Sequence, residues 1–187
     1  GADQPGTAMN LSRAERTTVE GAARNEALRV LMVEDVPTEA ELELRELKRA
    51  GLTVQSRIVT DETMFRDAVT TFGPHVILSD FSMPGWDGMA ALAVARELCP
   101  YTPFIFVSGT LGEEYAIRAL QNGAADYVLK TNLVRLPAAV ERAVREAREH
   151  EIRLKAEAEL EALHERLHSI FTTLADMLWS VLLPGRE

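Results

Sequence analysis

The chain has 187 residues, 47% apolar and 26% charged, an ordinary balance for one folded domain with an appendage. Its 29 acidic and 20 basic residues leave a formal net charge of −9, which argues against a nucleic-acid partner and against an anionic membrane surface. The lone cysteine, Cys99, excludes an intramolecular disulfide framework and suits a reducing cytoplasm, and no apolar run approaches the ~20 residues of a membrane-spanning helix.

Residues 1–27 are small and polar, and GADQPGTAMN has neither the basic start nor the apolar centre of a signal peptide. Ser12 and Glu15 have capping-box spacing, so this arm reads as a short helix or a loose segment. From Leu28 the texture changes. LRVLMVED, TVQSRIVT, HVILSD, PFIFVSG and ADYVLK are short, β-branched or aromatic runs bounded by Gly, Pro or charge, which is how buried strands read.

Helical patterns lie between them. Thr38 and Glu41 form a capping box opening a helix over 38–50, with Gly51 after it. Asp61 caps 62–72, where Phe65, Ala68, Val69 and Phe72 recur on one face. Asp87 caps a helix through Leu98, and Gly112 opens one over 113–121 that Gly123 closes. Strict alternation of strand and helix predicts an α/β fold: a doubly wound, five-stranded parallel sheet covered on both faces.

The fifth helix runs on. From Pro137 to about Leu178 there is neither Gly nor Pro, and the composition is that of a long helix. Leu160, Leu163, Leu167, Ile170, Leu174 and Met177 alternate spacings of three and four, a heptad seam, while Val140, Val144 and Ala147 keep the same spacing in another phase. The first stripe is expected to cover the sheet. The second needs a further partner, so helix five is expected to extend into a coiled-coil-like dimerising helix. The expected divisions are an arm over 1–27, a domain over 28–147 and an extended helix over 148–187.

In a parallel α/β sheet, functional groups gather at the carboxyl ends of the strands. Those ends carry Glu34 and Asp35, then Asp80, Ser108 and Lys130. Carboxylates in one crevice repel unless a cation joins them, and an oxygen-only set beside a lysine suits Mg²⁺ and a phosphoryl group rather than zinc.

The chain here resembles the receiver domain of two-component response regulators. The resemblance rests on VLMVED with Glu34 and Asp35, ILSDFSMPGWDG with Asp80, FIFVSGT with Ser108, and GAADYVLK with Tyr127 and Lys130. It implies strand order 2-1-3-4-5, and a phosphorylation-dependent switch rather than an enzyme with an outside substrate. Asp80 would accept phosphate from a histidine kinase or phosphotransfer protein. Asp35, Asp80 and the Ser82 carbonyl would ligate Mg²⁺, with Glu34 acting through a metal-bound water. Lys130 and Ser108 would hold the phosphoryl group, Tyr127 would be the switch aromatic, and Ser82 and Thr110 would tune dephosphorylation. The implied output is the face of helix four, strand five and helix five, acting with the C-terminal helix in a homodimer. The family's Lys-Pro pair is here Lys130–Thr131, for which a trans bond is expected.

Two other readings stay open: an aspartyl-phosphate phosphohydrolase similar to haloacid-dehalogenase-type enzymes, and an unphosphorylated receiver-like scaffold. The first needs a second Asp two positions after the acceptor, where Ser82 stands. Trp86 reads as an exposed loop residue, and His164 as the solvated flank of the long helix. The tail SIFTTLADMLWSV looks like the opening of a PAS domain, which would make this the N-terminal piece of a larger signalling protein.

Overall fold

The computed structural model describes residues 27–109 and 112–182. Strands β1 (Leu28–Val33), β2 (Val54–Val59), β3 (Val76–Ser79), β4 (Phe104–Ser108) and β5 (Asp126–Leu129) alternate with helices α1 (Pro37–Arg49), α2 (Glu62–Phe72), α3 (Gly88–Leu98) and α4 (Glu113–Gln121). A 3₁₀ stretch, Lys130–Arg135, then leads into α5 (Leu136–Leu182). The sheet is wholly parallel in the order β2-β1-β3-β4-β5. The expected fold class is therefore the observed one. The Ser12–Glu15 spacing and Thr110 lie outside the described residues.

Central strands are buried on both faces, as a doubly covered parallel sheet requires. Val30, Leu31, Met32 and Val33 of β1 have no exposed surface, and β3 and β4 are buried throughout. Leu31 and Val33 join one apolar cluster with Phe65 and Ala68 of α2, Ala91 and Leu92 of α3, and Phe104 and Phe106 of β4. Val30 and Met32 alternate to the opposite face. Of α5, Leu136, Ala139, Val140 and Ala143 are buried. Compact contacts divide the chain between Ala143 and Val144.

Two caps are those expected. The Asp61 carboxylate accepts the Met64 N–H at 2.8 Å, and Asp87 accepts the Ala90 N–H at 2.8 Å. The start of α1 differs from expectation. Pro37 has no N–H to satisfy and a backbone angle already suited to the first helical position, so the helix begins there with Val36 as an uncapped N-cap. Thr38 falls inside the helix and cannot cap it, and Glu39 is brought into the first turn. No cis peptide occurs among the described residues, Lys130–Thr131 included.

Candidate functional site

β1, β3 and β5 run in parallel, so Glu34, Asp80 and Lys130, each just past a strand end, meet at one edge of the sheet. The Lys130 ammonium donates to Glu34 Oε2 at 2.8 Å and to Asp80 Oδ2 at 3.0 Å. Its third bond goes to Glu39 Oε2, from the first turn of α1. Glu34 also accepts the Val36 N–H through Oε1 at 3.0 Å, and Asp80 accepts the Ser82 N–H through Oδ1 at 3.3 Å.

The electrostatics follow from burial and charge. Burial pushes the Glu34 carboxyl above its ordinary range, against the opposing pull of Lys130 and of the Val36 N–H. Burial would lower the Lys130 ammonium, but its hydrogen bonds to Glu34, Glu39 and Asp80 outweigh that and hold it above the usual lysine range. Glu43, one turn beyond Glu39 on the inner face of α1, is 3% exposed. Burial first, and then the charge of Glu34, push its carboxyl up to about 8.

Of the residues expected at the site, the structure joins Asp80, Glu34 and Lys130 directly. Asp35 is exposed, and its carboxylate is not among the acidic group that converges here. Ser82 is an exposed loop residue that contributes its N–H to Asp80. Ser108 is buried at the end of β4, paired in register with Leu129, the residue before Lys130. Tyr127 is buried opposite Phe106, ring centroids 6.4 Å apart, and its N–H donates to Asp126 Oδ1 at 2.7 Å. The other Asp126 oxygen takes the Arg142 guanidinium of α5 at 2.5 Å.

Glu39 and Glu43 were not expected. Both lie on α1, Glu39 in its first turn and Glu43 on its buried face. Glu43 had a legible signal, because it sits between Ala40 and Leu47 on the stripe that faces the sheet. Trp86, expected exposed, is half-buried, its ring edge-on to Phe65 at 5.3 Å and its indole nitrogen enclosed.

Carboxylate oxygens of Glu34, Glu39 and Asp80 all lie within 4.8 Å of one another. An all-oxygen set of this charge fits a hard divalent cation such as Mg²⁺, which binds through one or two carboxylates and keeps its waters. Backbone closeness shapes the back of the site. A side chain at Gly88, the first residue of α3, would meet Phe106 Cε1 at 2.7 Å and run into the Asp80 carbonyl oxygen. Glycine there lets α3 begin directly behind Asp80.

Comparison with known proteins gives one consistent result. A family model described as the response regulator receiver domain matches residues 30–141. The DNA-binding transcriptional regulator NtrC of Klebsiella pneumoniae is 38% identical over 86 residues, 46% of this chain and 18% of its own length. The C4-dicarboxylate transport transcriptional regulatory protein DctD of Rhizobium meliloti (strain 1021) is 32% identical over 158 residues, 74% of this chain and 33% of its own length. The chain thus spans a third or less of these curated relatives. The structure of the Francisella response regulator 1452 receiver domain superposes with a TM-score of 0.56 at 24% identity, covering 64% of this chain and 98% of that one, a likeness of fold.

Proposed function

Since the chain belongs to the family of response regulator receiver domains, we propose that it is a phosphorylation-dependent switch in which Asp80 takes the phosphoryl group. The observation that carries this reading is the contact between Lys130 and Asp80, 3.0 Å, at the acidic edge of the sheet. In the step proposed, an Asp80 carboxylate oxygen attacks the phosphorus of a kinase or phosphotransfer protein's phosphohistidine. The P–N bond breaks as the P–O bond forms, and the imidazole leaves. Phosphoryl transfer is catalysed chiefly by position and charge neutralisation. Glu34, Asp35, Asp80 and the Ser82 carbonyl would hold Mg²⁺, which when bound would offset the phosphoryl charge. Lys130 supplies the second positive charge, and buried Ser108 supplies a hydroxyl next to it along the sheet edge.

The added charge, about −1.5 to −2, acts on a compact site and reaches β5 through Ser108 and Tyr127. Asp126 joins Tyr127 to Arg142, which gives the strand a direct hold on the root of α5. Further along α5, Leu160, Leu163, Leu167, Ile170, Leu174 and Met177 are 48–69% exposed on one seam. The partner proposed for that seam is a second copy of the same helix, with the α4–β5–α5 face as a further contact.

Incubation with acetyl phosphate and Mg²⁺, followed by intact mass, tests the acceptor. The expected result is a gain of one phosphate that Asp80→Asn abolishes. No gain at any Mg²⁺ concentration would favour the scaffold reading, and steady phosphate release from unrelated monoesters would favour the phosphohydrolase.

A further inference from the structure

An ammonium has three protons to donate, and Lys130 spends all three on carboxylates: Glu34, Asp80 and Glu39. If Asp80 is the phosphoryl acceptor, as proposed above, its own donor passes to the group it carries, and a second phosphoryl oxygen gains a donor only if another partner lets go. The three are not equivalent. Glu34 is 2% exposed and held at its other oxygen by the Val36 N–H, so releasing it would strand a buried charge. Asp80 is 12% exposed, held by the Ser82 N–H, and carries the new group itself. Glu39 is 39% exposed, and its carboxylate has Lys130 as its one hydrogen-bond partner among the described residues. It alone can swing into water, where its charge is solvated and screened.

We infer that Glu39 is a positioning residue for phosphoryl acceptance: it anchors the third donor of Lys130 in the resting site and gives that donor up to the phosphoryl oxygen. The anchor keeps the ammonium over the acids while the site waits. It also opposes phosphorylation, because its charge competes with the incoming anion for the same proton. Its place in the first turn of α1 gives it a favourable resting position near the positive end of the helix dipole.

The sequence holds three lysines, Lys48, Lys130 and Lys155, and Lys48 and Lys155 are exposed. A ¹⁵N-lysine NMR spectrum without phosphodonor should therefore show one ammonium in slow exchange with water, that of Lys130. Glu39→Ala should shift this signal and speed its proton exchange several-fold. An unchanged shift and exchange rate would overturn the anchor. With saturating Mg²⁺ and varied acetyl phosphate, Glu39→Ala should reach half-maximal phosphorylation at several-fold lower donor, whereas Glu41→Ala, an outward acid on the same helix, should match wild type. An unchanged or higher donor requirement in Glu39→Ala, or an equal gain in Glu41→Ala, would overturn the release step. If the wild type takes no phosphate, the switch reading and its release step both fall, and the ammonium spectrum still decides whether Glu39 anchors Lys130.

Discussion

Glu43→Gln should make the protein more stable, and by an amount that depends on pH. The carboxyl is 3% exposed and its ionisation is pushed from 4.5 up to about 8. Below pH 4.5 it is protonated in both folded and unfolded chains and contributes nothing. Between 4.5 and about 8 the folded chain keeps a proton that the unfolded chain has lost, so stability falls as pH rises, by ~1.36 kcal/mol per unit. Above about 8 the folded chain ionises too, and the penalty levels off at its full value, ~5 kcal/mol. At pH 7 it is ~3.4 kcal/mol. Glutamine keeps the shape without the charge and carries none of this. Urea unfolding of both proteins at pH 5, 7 and 9 in the presence of a chelator measures it. The gap between Gln and Glu should be under ~1 kcal/mol at pH 5, ~3 at pH 7 and largest at pH 9. Equal stability at pH 7, or a gap that ignores pH, would refute the assignment of Glu43 as a buried neutral acid.

Two more outcomes follow from packing. Phe65 has no exposed surface and carries the edge of Trp86 at 5.3 Å, so Phe65→Ala should cost about 3–5 kcal/mol in urea unfolding. Because the other tryptophan, Trp179, is already 71% exposed, the same variant should shift the remaining buried tryptophan emission to the red. On the seam of α5, Leu163 and Ile170 are 54% and 55% exposed. Their joint change to Glu should leave the sheet domain folded yet weaken self-association by about 100-fold or more, a loss of ~3 kcal/mol, read by sedimentation velocity. Sedimentation independent of both changes would refute the seam as a self-association surface.

Much of this architecture was legible because the features that define it are local. The five apolar runs became five strands, and Asp61 and Asp87 cap their helices through contacts only three residues long. Asp80, Glu34 and Lys130 could be placed together because parallel strands deliver their ends to one edge. What escaped was set by angle rather than by run. Glu39 reaches Lys130 across 91 residues, a contact that only the closed sheet creates and that no local pattern marks. Glu43 looked like one more acid on a charged helix, and its significance lay in the Ala40 and Leu47 beside it.

The Gly88 N–H donates to the Phe81 carbonyl at 3.2 Å, closing a neck behind residues 82–87. Asp80 lies on one side of that neck and α3 on the other, so the neck holds Asp80 against the start of α3 whatever the length of the loop it encloses. Lengthening a closed loop costs little, ~0.6 kcal/mol for each doubling. Segment 82–87 can thus lengthen without moving Asp80, provided that Ser82 still donates to Asp80 and Asp87 still caps α3.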